Sequence, residues 1–228
     1  PRVYGLMDSR ELEAAGVTRV RLSPQLGLRG QGTLVGIIDT GVDLTSSFFR
    51  YEDGGTKIAA YWDQEDQEGK KPAGYSFGRE WDREEIDRAL EEEPRILPRD
   101  ENAHGTFLAA VAAGREDEEA GFSGAAPDSE LVVVKLKRPK QYLLDFYSIR
   151  DDVWACQEDD VMLAIRYVLD TATALQRPVS ICLGIGTNLG GHGGNGSLER
   201  YISQISLLPG ISVHIASGNE GISGHHFR

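Results

Sequence analysis

The sequence predicts an α/β fold with a mostly parallel central sheet, on three observations. Short runs of apolar residues (34–38, 131–136, 179–185 and 211–216) alternate with segments of helical pattern. Continuous apolar runs suit strands buried on both faces, the condition of a parallel sheet with helices on either side. Three of the four runs also empty into small, polar turns, the places where ligands settle in such sheets.

The elements follow in chain order. Ser9 with Glu11 starts a helix that Gly16 stops. The run Leu34–Ile38 reads as a buried strand feeding the turn Asp39-Thr40-Gly41. The stretch 51–78 is polar, with Gly54-Gly55 and Lys71-Pro72, and reads as a surface excursion. Asp82 as N-cap with Glu85 three residues on predicts a helix to Glu93, ended by Pro94 and Pro98. A small-residue helix is predicted over 104–113, closed by Gly114, and a second strand over 131–136. The clearest amphipathic helix is 158–175, with Val161, Ile165, Val168, Leu169 and Ala172 on one face. Pro178 precedes the third strand, 197–206 reads as a helix, and the fourth strand runs into Ser217-Gly218-Asn219.

Composition narrows the function. The chain has 228 residues, 40% of them hydrophobic, enough for one large domain with its own core. A net charge of −12 speaks against nucleic acid, which needs a basic face. Acidic runs such as Glu91-Glu92-Glu93 read as solvated surface. Cys156 and Cys182 make no disulfide framework, and Cys182 reads as a small core residue. No stretch is long and apolar enough for a membrane-spanning helix.

Three residues carry the chemistry. Asp39 ends a buried strand, where a carboxylate is held and partly desolvated, as suits orienting a histidine. An Asp there also serves as a plain turn cap. Asp-Thr-Gly after an apolar strand has a second catalytic reading, that of aspartic proteases, but those need two carboxylates sharing a proton and this chain has one such string. His104 opens a helix in Asn102-Ala103-His104-Gly105-Thr106, a place that fixes a general base yet lets it reach a nucleophile. His192, His214, His225 and His226 have weaker contexts, and the 225–226 pair lacks metal-ligand spacing. Asn219 follows a strand between glycines, where its amide can donate to a developing oxyanion or sit in a left-handed turn.

Singly these residues are ambiguous, but their order is not. Strand–Asp39-Thr40-Gly41, then His104-Gly105-Thr106 opening a helix, then strand–Ser217-Gly218-Asn219-Glu220-Gly221 resembles the subtilases, whose triad runs Asp, His, Ser. Ser123-Gly124-Ala125-Ala126-Pro127 also looks like a family segment. The strings Lys57-Ile58-Ala59-Ala60-Tyr61-Trp62-Asp63-Gln64, Val132–Lys137, Gln141-Tyr142 and Gly224-His225-His226-Phe227 are similar to the clostridial Csp-type group.

The resemblance implies a subtilisin-like three-layer fold and a serine-type endopeptidase acting on protein or peptide substrates without a cofactor. Subtilases often bind calcium, but no dense oxygen-ligand loop occurs in the sequence, so no metal site is assigned. It implies an N-terminal arm over 1–31 and the front portion of a catalytic domain over 32–228, with a surface insertion at about 51–98. Asp39, His104 and Asn219 become the catalytic expectations. Leu183, Gly184, Ile185, Gly186, Ser217 and Gly218 become the substrate-binding ones, through main-chain pairing. No Gly-Thr-Ser string of the kind that carries the family's nucleophile occurs in the sequence. The fold is therefore expected to be incomplete at its C-terminus and these residues alone to be inactive. The remaining C-terminal portion or a propeptide is then a partner. A pseudoprotease that binds protein through the retained cleft is the alternative. Secretion, or a place in a bacterial spore, is the localisation the resemblance suggests.

Overall fold

The computed structural model describes residues 9–119, 121–187 and 193–218. Six strands form one sheet: β1 (Leu34–Asp39), β2 (Ile58–Asp63), β3 (Arg79–Asp82), β4 (Glu130–Lys135), β5 (Val179–Leu183) and β6 (Ile211–Ile215), in the order β3-β2-β4-β1-β5-β6. Only β3 runs antiparallel to its neighbour. The predicted parallel sheet is therefore present, with an antiparallel edge. No described helix is long and apolar enough to cross a membrane.

Alternation along the strands divides the core in two. Leu34 and Ile38 of β1, Val132 and Val134 of β4, and Ile181 and Leu183 of β5 face one layer. There they meet α6 (Glu158–Ala174) through Val161, Ile165 and Val168, and α7 (Ser197–Ile205) through Ile205. Val35 and Ile37 of β1 and Leu131 and Val133 of β4 face the opposite layer. That layer holds α3 (Arg83–Glu92), through Ile86 and Ala89, and α4 (His104–Ala113), through Ala109 and Ala113. The result is the three-layer arrangement that parallel strands require. Period-two alternation has a consequence for chemistry: Asp39, two positions after Ile37, falls on the α4 side.

The helix signals hold. Asp82 caps α3, accepting from the Glu85 N–H at 2.9 Å while the Glu85 carboxylate accepts from the Asp82 N–H at 3.2 Å. The main difference lies in the stretch 51–78, read as a surface excursion. Residues 58–63 form β2, inserted beside β4, and Tyr61 and Trp62 are fully buried. The register shifts between Ile58 and Ala60, so Ala59 and Ala60 lean to the same side and the alternation breaks. The exposed residues of 51–98 lie in the turns around β2 and β3, on the outer face of α3 and in the turn that follows it. Two short helices were also not foreseen: α2 (Val17–Arg21), which follows α1 (Ser9–Ala14) after Gly16, and α5 (Gln141–Phe146). The arm carrying α1 and α2 is tied to the body by charge. Arg29 pairs with Asp128 and Glu116, and Arg21 donates to the Gly124 carbonyl.

Candidate active site

Asp39 and His104 meet at the C-terminal edge of the sheet. Asp39 is the last residue of β1, and its backbone carbonyl accepts from the Leu136 N–H at 2.9 Å. Its side chain is 1% exposed. His104 is the first residue of α4, and its Nδ1 lies 2.8 Å from Asp39 Oδ1. A carboxylate can only accept, so Nδ1 donates this bond, and in the neutral ring the lone pair then sits on Nε2. The ring is 41% exposed, so its far edge opens to solvent while its near edge is clamped. That is the disposition of a general base.

Asp39 Oδ1 also accepts from the Thr40 N–H at 2.8 Å. Oδ2 is buried without a hydrogen-bond partner among the described residues. Symmetric proton sharing with a second Asp is ruled out by the same contacts, since one oxygen is committed to His104 and the group is sealed from solvent. That disposes of the aspartic-protease reading.

Two glycines set the closeness of the pair. Gly105 brings α4 against the 39–41 turn: a Cβ there would lie 2.1 Å from the Gly41 carbonyl oxygen and 3.1 Å from Asp39 Cβ. Gly184 brings the end of β5 against the pair itself. A Cβ on it would stand 2.0 Å from Leu108 Cδ1, 2.6 Å from Asp39 Oδ2 and 3.1 Å from His104 Cε1. Any other residue at either position would push the carboxylate or the ring out of place.

The other expected residues are distributed around this centre. Leu183 turns its side chain into the α6 layer, and its carbonyl accepts from the Ala216 N–H at 3.0 Å, joining the ends of β5 and β6. Ile185 is half-buried and Gly186 is exposed, so the chain runs outward from the pair. Ser217 and Gly218 are exposed beyond β6, with Gly218 at φ 82°. Asn219, His192, His225 and His226 lie outside the described residues. His214 is an exposed residue of β6.

The thiols nearby offer no competing nucleophile. Burial, with the charges of Asp39 and Asp160 adding to it, pushes the Cys156 thiol up to about 12. Burial and then Asp39 raise Cys182 as well. Both stay protonated at neutral pH, and a thiol does not attack as a thiolate does.

Sequence reasoning missed Asp100. Its carboxylate accepts from the N–H groups of Asn102, Ala103 and Thr106 and from the hydroxyls of Thr40 and Thr106, at 2.7–3.2 Å. The available signal was an Asp two and three residues ahead of backbone donors at a helix start, the spacing of an Asx turn.

Comparison with known proteins places the chain in a family and matches its fold. The profile of the subtilase family matches residues 30–225. Subtilisin from Bacillus sp. (strain TA39) is 30% identical over 122 residues, 54% of this chain and 25% of that protein. The CspB protease of Clostridium perfringens superposes with a TM-score of 0.79 at 26% identity, over 95% of this chain and 42% of that one. Sphericase, at 22% identity and a TM-score of 0.54, shares the fold over 90% of this chain and 53% of its own. The chain thus spans about half or less of the length of these relatives.

Proposed function

We propose that this chain, which belongs to the subtilase family, supplies the acid–base part of a serine endopeptidase. One observation carries the reading: the 2.8 Å contact between a buried Asp39 and a His104 whose other edge is open. In this reading His104 Nε2 takes the proton from a serine hydroxyl as it attacks the scissile carbonyl. It then returns that proton to the leaving amine. Asp39 holds the tautomer and stabilises the imidazolium that forms between the two transfers. Gly184 to Gly186 offer backbone to an extended peptide, and Asn219 donates to the oxyanion. The serine is contributed by polypeptide other than these 228 residues, following the family order Asp, His, Ser.

A fluorophosphonate probe tests this. The protein carrying the whole family domain is expected to be labelled, to cleave casein insensitively to pepstatin, and to lose both reactions on His104→Ala. The 228-residue polypeptide alone is expected to stay unlabelled. Labelling and cleavage that survive His104→Ala would overturn the assignment.

A further inference from the structure

We propose that Asp100 is a positioning residue that locks the Asp39–His104 geometry by tying the end of β1 to the start of α4, an inference that rests on the acid–base reading above. The need arises from how α4 begins. Its cap position, Ala103, is in the left-handed conformation at φ 63° and supplies no side-chain cap. The first N–H groups of a helix have no partner within it, so they must be satisfied from elsewhere. Two residues do so, and they come from opposite sides of the catalytic pair.

Asp100 Oδ2 accepts from the Thr106 N–H at 2.8 Å and the Thr106 hydroxyl at 2.7 Å. Asp100 Oδ1 accepts from the Ala103 N–H at 3.0 Å and the Asn102 N–H at 3.2 Å, which holds the left-handed turn that presents His104. Oδ1 also accepts from the Thr40 hydroxyl at 2.8 Å. That hydroxyl in turn accepts from the Gly105 N–H at 3.0 Å, and the Thr40 N–H donates to Asp39 Oδ1, the oxygen that holds His104. Thr106 closes the circuit, its hydroxyl accepting from the Asp43 N–H at 2.9 Å. The residues after Asp39 and the residues around His104 are thus fastened to one carboxylate. Backbone in a disfavoured conformation persists where its surroundings over-determine it, and here Asp100 does that.

The test uses the protein carrying the whole family domain, with a chromogenic peptide and with the downfield proton signal of His104 Nδ1–H. Asp100→Ala and Thr40→Val are expected to lower kcat by about 10²-fold with KM little changed, the loss that a small misplacement of a catalytic group causes. Both should shift or broaden the His104 signal while the far-UV spectrum stays unchanged. Thr40→Ser, which keeps the hydroxyl, should restore most of kcat and the signal. Should Asp100→Ala fail to fold, the Thr40→Val and Thr40→Ser pair decides alone. Folded variants with wild-type kcat and an unmoved signal would overturn the proposal, as would Thr40→Ser behaving like Thr40→Val. A wild-type protein with no peptidase activity would sink the acid–base reading instead. The His104 signal in the same variants would then still decide the positioning.

Discussion

Gly184 shows how a residue with no side chain sets the placement of the Asp39–His104 pair. The clash that a Cβ there would make with Leu108 can be relieved, because a leucine terminus moves. The clash with Asp39 Oδ2 cannot, because that carboxylate is sealed at 1% exposure and tied to His104. In the protein carrying the whole family domain, Gly184→Ala is therefore expected to cost on the order of 10²-fold in kcat, through misplacement of the pair, and to lower the thermal midpoint as well. Steady-state kinetics beside a melting curve checks it. Asp39→Asn keeps the shape but turns the tautomer; on the proposed acid–base reading, the protein carrying the whole family domain should then lose about 10⁴-fold in kcat, the loss such a change causes in an Asp-His-Ser triad. A loss under tenfold would mean that His104 does not depend on Asp39. Asp39 and His104 were legible in the sequence because each sits in a local string whose element type is also legible. Asp100 was not, because its partners Thr40 and Thr106 belong to different elements and meet only in the fold.

At the scale of elements, α3 was legible to within a residue because its start is chemically local: Asp82 and Glu85 cap each other. Asp82→Ala is expected to lower stability by about 1 kcal/mol, measured by urea unfolding. The strand β2 was hidden for a physical reason. Its bulge breaks the alternation, its flanks are polar, and its first neighbour is a lysine. Lys57 is 1% exposed, and its Nζ donates to the carbonyls of Ala113, the last residue of α4, and Pro127, each at 2.6 Å. Burial holds its ammonium down to about 8 from the ordinary 10.5. Below that value both folded and unfolded states are charged, and the folded state bears the desolvation cost. Above it the folded lysine releases its proton first, so the unfolded state binds more protons and stability rises with pH. Between about pH 8 and 10 the wild-type protein should gain stability relative to Lys57→Met, in parallel urea titrations. A constant difference across that window would show that Lys57 does not titrate early.

For the whole molecule, the centre of the sheet and its β6 edge differ in how far they are covered among the described residues. All six residues of β1 are buried, between neighbours on both sides and helices above and below. β6 has β5 on one side only among the described residues, and none of its five residues is fully buried. Ile215 is 55% exposed, and Leu207 and Leu208, which lead into the strand, are 84% and 51% exposed. An open strand edge with apolar residues around it invites pairing with another chain. Opposing this is a net charge of −12, which makes copies repel one another. The two effects have different ranges. Repulsion between exposed charges fades beyond about 10 Å in 0.1 M salt, whereas strand pairing acts at contact. The isolated 228-residue polypeptide should therefore self-associate more as salt rises, with its mass by light scattering increasing from low salt to 0.5 M sodium chloride at fixed concentration. Ile215→Lys, which places a charge at the open edge, should suppress that increase without lowering the thermal midpoint. A constant monomer mass across the salt series would show that β6 is protected by something other than charge.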